Sequence, residues 1–221
     1  MTNKTKQTFN QIVLNHKHLC IEFDGKEFLN TDNGLNKVAS ILNSGADIIL
    51  LNNNFDNDKT FLDTAIKVKQ LCAMFDALLI IQNRADITFL SEADGLYLDK
   101  NSLSTHQAKE IVGEKTIIGM SINSTIEAIS AIKNGADYIC FEQIFSTPTT
   151  PAVNSAGLEY AKWVSENSYI PAFVRGNINH NNIRLLSETQ INKIIVGNVV
   201  TDSDSPNLAT EKFVELLKSN S

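Results

Sequence analysis

Apolar residues in this chain fall into eight short runs: 18–23 (HLCIEF), 47–51 (DIILL), 78–82 (LLIIQ), 95–98 (GLYL), 116–120 (TIIGM), 137–141 (DYICF), 170–175 (IPAFVR) and 193–197 (KIIVG). Runs this short and continuous predict strands buried on both faces. Between them the pattern changes to a helical period, clearest over 35–44, 58–75, 124–134, 157–167 and 207–218, with shorter helices predicted near 86–92 and 105–112. In NSTIEAISAIKNG the apolar positions Ile126, Ala128, Ile129 and Ile132 form one stripe, which Gly135 closes. Strand alternating with helix implies βαβ units and a parallel sheet. Eight such units in 221 residues fit a single (β/α)8 TIM barrel better than a doubly wound sheet.

One phrase recurs at the junctions: SGADIILL at 44–51, EADGLYL at 92–98 and NGADYICF at 134–141. Each time a helix stops on Gly or a small residue and an apolar strand begins at once, Gly supplying the left-handed helix exit. No Pro/Gly/Ser-rich linker divides the chain, so a polar N-terminal extension over 1–17 and one barrel domain over 18–221 are expected. In that architecture chemistry sits at the carboxyl ends of the strands, and phosphate commonly binds after strands 7 and 8. The rim then comprises Asn52–Asn54, Gln82–Arg84, Asp99–Asn101, Ser121–Asn123, Glu142–Thr150, Arg175–Asn179 and Gly197–Val199.

Composition narrows the function classes. A net charge of −6 with no basic run argues against nucleic acid or anionic membrane as partner. No apolar run is long enough to cross a bilayer, and the first residues lack the pattern of a signal peptide. Cys20, Cys72 and Cys140 are widely spaced in apolar surroundings and read as buried thiols, which suits a reducing cytoplasm. The four histidines do not cluster, and none stands at a diagnostic spacing from a Cys or Ser.

Several rim residues carry candidate chemistry. RGNIN (175–179) and VGN (196–198) put Gly176 and Gly197 at the ends of strands 7 and 8, with Asn177 and Asn198 beside them. Glycine lets backbone amides approach an oxyanion, although a tight turn would need the same residue. FSTPTTP (145–151) offers Thr147 and Thr149 between prolines, as ligand hydroxyls or as a rigid polar loop. Arg84, just after strand 3, would clamp an anion or pair with Asp86 to hold its loop.

These rim segments resemble the thiamine phosphate synthase family, which includes thiazole tautomerases. The resemblance runs from about residue 18 to 200, through GADIILLNNN, IQNRADIT, EADGLYLDKNSL, IIGMSINS, GADYICFEQIFSTPTT, RGNIN and IIVGNVV in the family's order. It implies a barrel that joins a hydroxymethylpyrimidine diphosphate to a thiazole phosphate, with Mg²⁺ on the departing pyrophosphate. Carried across residue by residue, the family's pyrophosphate-holding Gln, Arg and Lys fall on Leu50, Asn52 and Asn54. Its two metal-ligating Asp residues fall on Asn83 and Ser102, its TPTK Lys on Thr150, and the tautomerase His on Asn123. Ser121, Thr147, Thr149 and Gly176 match the family, whereas the second Gly of GG is Asn177 and the Ser after strand 8 is Asn198.

Cations and metal-holding acids have thus become neutral. Losing one preorganised donor to developing charge costs roughly 10²–10³ in rate, so activity is expected to be weak or lost unless other groups substitute. Substitutes stand nearby: Lys100 for phosphate, Asp99 for a metal, Arg84 and Ser121 for catalysis. Arg175 and Glu142, on neighbouring strand ends, are expected to pair inside the mouth. The leading expectation is therefore a thiamine-phosphate-synthase-like transferase needing Mg²⁺ if active. The alternative is a barrel without catalysis, and without a cofactor, that binds a phosphorylated small molecule. Barrels of this sort often dimerise, so a homodimer is compatible with either.

Overall fold

The structure, a computed structural model, describes residues 8–28, 31–145 and 156–219. Eight parallel strands close into a barrel in sequence order: β1 (Leu19–Phe23), β2 (Ile48–Leu51), β3 (Leu78–Gln82), β4 (Gly95–Leu98), β5 (Ile117–Ile122), β6 (Tyr138–Phe141), β7 (Ala172–Arg175) and β8 (Ile194–Val196). Strand β8 pairs back onto β1, Cys20 lying opposite Ile195, so the sheet has no free edge.

Helices cover the outside: α2 (Thr31–Asn43), α3 (Asp58–Met74), α4 (Ala85–Leu90), α5 (Thr105–Val112), α6 (Thr125–Lys133), α7 (Ala156–Asn167), α8 (Asn198–Thr201) and α9 (Pro206–Ser219). Their starts are written locally. Asn57 caps α3, Ser104 caps α5 with Gln107 returning the bond, and Ser124 caps α6. Between β7 and β8 the connection is a 3-10 segment, Ile183–Thr189, and another 3-10 turn, Gly25–Phe28, follows β1.

Side chains of one strand parity fill the lumen. Cys20, Leu50, Ile80, Tyr97, Cys140 and Phe173 all belong to this interior cluster, and the opposite parity packs under the helices. The ring of Tyr138 lies edge-on to Phe173 and parallel to Tyr97. It fits because Gly119 stands opposite on β5.

The N-terminal end of the barrel is closed by α1 (Phe9–Asn15), which lies within the stretch expected to be a polar extension. Leu14 is fully buried in the lumen cluster. Thr8 and Asn10 bond the Asp137 carboxylate at 3.3 and 3.2 Å. Lys193 Nζ donates to the carbonyls of Leu14, Asn15 and Lys17, each at 2.9 Å. Residues 8–17 therefore belong to the packed body. Their apolar members are too few for periodicity to reveal, since only Leu14 enters the core.

Candidate functional site

Continuing the inward parity two residues beyond the lumen cluster gives the groups that ring the barrel's C-terminal mouth. These are Glu22, Asn52, Gln82, Asp99, Ser121, Glu142, Arg175 and Gly197. Arg175 is the hub. Its Nη1 lies 3.4 Å from Glu142 Oε2, so the expected pair is present, and its Nη2 donates to Glu22 Oε1. The Tyr97 hydroxyl donates to the other Glu142 oxygen. Burial pushes the Glu22 carboxyl above its ordinary value, against the pull of Arg175. Burial works against the Arg175 charge as well, but Glu22 and Glu142 together hold that guanidinium firmly protonated.

Glu22 and Tyr97 are absent from the sequence-based candidates. Glu22 did leave a signal: it is the one charged residue in the apolar run 18–23 and shares the parity of Cys20. Tyr97 read as ordinary strand filling, and its hydroxyl partner comes from a strand 45 residues on.

The rim asparagines turn onto the protein's own carboxylates. Asn54 Nδ2 donates to both Asp24 oxygens at 3.2 and 2.9 Å, and Asn52 Nδ2 reaches Asp24 Oδ2 at 3.5 Å. Asn52 Oδ1 accepts from the amides of Gly25 and Asn54. Asn83, at φ 59°, donates to Asp99 Oδ2 at 2.6 Å and accepts from the Asp99 amide. Arg84 is fixed to its surroundings: it forks onto Asp86 at 2.9 and 2.6 Å, reaches Asp58 at 2.8 Å and lies over the Phe61 ring. Those bonds hold the Asp86 carboxyl below its ordinary value, against partial burial. This is the loop-holding role that the sequence left open for Arg84.

The remaining candidates are placed as follows. Ser121 faces the lumen at 9% exposure and makes no side-chain hydrogen bond among the described residues. Lys100 is exposed on the rim. Gly176, at φ 108°, lets the β6 loop pass, because a side chain there would begin 2.5 Å from the Glu142 carbonyl. Gly197 precedes α8, with Asn198 exposed at the first position of that helix. Asn177, at φ 51°, offers its carbonyl to Asn182. Thr147 and Thr149 lie outside the described residues.

The donor set fits a hard divalent cation poorly. Mg²⁺ wants near-octahedral oxygen ligands, often from carboxylates. At the positions implied for the metal, Asn83 presents an N–H to Asp99, whose other oxygen accepts from the Asn101 amide. Among the described residues no group of three His, Cys, Asp or Glu side chains is arranged to hold a metal.

Against this geometry stand the comparisons with known proteins. The sequence pattern described as thiamine monophosphate synthase matches residues 23–200. A thiamine-phosphate synthase of Prochlorococcus marinus subsp. pastoris is 33% identical over 175 residues, 79% of this chain and 50% of that protein. One from Nostoc punctiforme is 29% identical over 187 residues, 85% of this chain and 53% of that protein. The chain thus spans about half the length of these curated relatives. Among solved structures, a thiamine phosphate pyrophosphorylase from Pyrococcus furiosus superposes with a TM-score of 0.83 at 26% identity, covering 94% of this chain and 98% of that one.

Proposed function

The chain belongs to the thiamine monophosphate synthase family, and from that premise we propose that it is a cytoplasmic, transferase-type barrel of thiamine biosynthesis whose turnover of the diphosphate substrate is weak or lost. The reaction it would perform couples hydroxymethylpyrimidine diphosphate to thiazole phosphate and releases pyrophosphate. Three free, buried thiols, Cys20, Cys72 and Cys140, suit a reducing compartment.

The observation that carries this reading is the direction of the rim carboxamides. Asn52, Asn54 and Asn83 spend their N–H groups on Asp24 and Asp99. A departing pyrophosphate needs cations and charge-assisted donors, roughly twice as strong as neutral ones. Here the donors are neutral and already engaged, and the adjacent charges are negative. Since the metal-ligand set does not fit Mg²⁺, no step is routed through it. Ser121 and Arg175 remain the groups placed to touch a substrate in the mouth.

The same internal satisfaction of the rim favours a second reading, a non-catalytic barrel that holds a phosphorylated small molecule at Gly176, Gly197 and Asn198. The experiment is pyrophosphate release from both precursors with Mg²⁺, measured beside the Pyrococcus furiosus relative. The expected rate is at least about 10³-fold lower, as loss of two preorganised donors implies. A comparable rate would refute the reading. Calorimetry with thiazole phosphate alone then separates a binder from an inert barrel.

A further inference from the structure

We propose that Glu22 is a built-in competitor at the mouth: its carboxylate holds the Arg175 guanidinium that a phosphate would use, and an oxyanion binds there by displacing it. The inference rests on the reading of the mouth as a site for a phosphorylated small molecule, and adds what controls entry to that site.

The position of the carboxylate is the first observation. Glu22 lies near the end of β1 with its side chain largely buried, and its Oε1 accepts from Arg175 Nη2. Its Oε2 lies 3.7 Å from where a side chain at Gly197 would begin, so the carboxylate reaches across the ends of β7 and β8. Those two strand ends carry Gly176 and Gly197, the glycines proposed to receive the phosphate. A guanidinium engages carboxylate and phosphate oxygens through the same N–H fork, so one anion can stand in the other's place.

The second observation is which carboxylate can let go. Arg175 is shared, with Nη1 3.4 Å from Glu142 and Nη2 on Glu22. Glu142 is held from two sides, because the Tyr97 hydroxyl also donates to it. Among the described residues Arg175 is the one side-chain donor to Glu22. Burial acts against the Glu22 charge and pushes its carboxyl up, so it takes a proton more readily than an ordinary glutamate. The groups facing it are Arg175 on β7, Glu142 on β6 and Asp24 just past its own strand, with Cys20 and Cys140 below it in the lumen. Exposed Lys26 acts on Asp24, and the adjoining ends of β2 and β8 present the uncharged Asn52 and Gly197. With Glu22 ionised, Arg175 and its two carboxylates carry one net negative charge; with Glu22 neutral, Arg175 and Glu142 balance. Entry of an oxyanion is therefore coupled to uptake of a proton by Glu22.

The test titrates sulfate, whose charge is constant over the range used, calorimetrically into the full chain from about pH 8 to about pH 5. In the unaltered protein sulfate affinity is expected to rise on acidification by up to about tenfold per pH unit, the slope of one bound proton. Glu22→Gln should bind sulfate at least about tenfold more tightly at neutral pH and lose that slope, which sets Glu22 apart from the general gain of positive charge. Arg175→Gln should bind no sulfate at any pH. Should Glu22→Gln fail to fold, the slope in the unaltered protein and its loss in Arg175→Gln decide the matter. No slope in the unaltered protein, or a Glu22→Gln variant that binds no more tightly, would overturn the proposal. Thiazole phosphate at neutral pH tells this failure from failure of the underlying reading. Equal binding by both proteins keeps the site and removes the competitor, whereas binding by Glu22→Gln alone keeps the competitor and removes the unaltered protein as a binder.

Discussion

A methyl group at position 119 would sit 2.0 Å from the Tyr138 ring, so this glycine is required by packing. Gly119→Ala should lower stability by about 1–3 kcal/mol through forced displacement of the ring, read from the midpoint of a urea titration. Asn54 makes a different kind of contribution. With Asn52 and the Lys26 amide it holds Asp24 below its ordinary pKa, although partial burial acts the other way. A depressed carboxylate stabilises the fold above its unfolded pKa, and that stabilisation is lost as pH falls through the folded value. Asn54→Ala should therefore move the Asp24 titration upward, which side-chain NMR across the acid range would detect; an unmoved titration would mean the contact is incidental. The asparagines were visible in the sequence as the end of an apolar strand. Their partner, across 28 to 30 positions of chain, was not.

At the scale of elements, the repeated GAD phrase does more than stop a helix. Asp47 accepts from the His18 and Leu19 amides where β1 begins, Asp94 from Leu79 at the start of β3, and Asp137 from Ile118 on β5. Each copy thus ties its strand to the preceding one at the N-terminal face, fixing register in three of the eight pairings. The left-handed exit is met by Gly45 and Gly135 in two copies and by Glu92, at φ 53°, in the third. The α1 plug has a titratable anchor. Burial pushes the Lys193 ammonium down to about 8 from its ordinary 10.5. Between those values the unfolded chain binds more protons, so this group makes stability rise with pH, and its benefit is lost as pH falls through about 8. Lys193→Met should be less stable, because carbonyls of 14, 15 and 17 lose a donor, and should lack that rise. Denaturant midpoints of both proteins across this pH window test it through their difference.

For the whole molecule, closure matters most. Every strand is paired on both sides, and α1 caps the lumen, so no sub-barrel can be exposed without breaking the interior cluster. Unfolding in urea is expected to be a single transition, with the fluorescence of Trp163, the sole tryptophan, and far-ultraviolet dichroism coinciding. Separate midpoints would show that α7, which carries Trp163, unfolds apart from the barrel. The same closure makes the mouth a converging site, because the ends of all eight strands open onto it.

The sequence by itself determined the barrel, its strand limits to within about two residues, the burial of the three thiols and the family, because strand parity, helix period and turn chemistry are local and repeat along the chain. Only the tertiary structure decided where the remaining groups point. It turned the asparagines onto Asp24 and Asp99, drew Glu22 and Tyr97 into the cluster around Arg175, left Ser121 open and made α1 part of the body. The physical reason is range: hydrogen bonds and ion pairs join residues up to 179 positions apart, a separation across which no sequence pattern carries information.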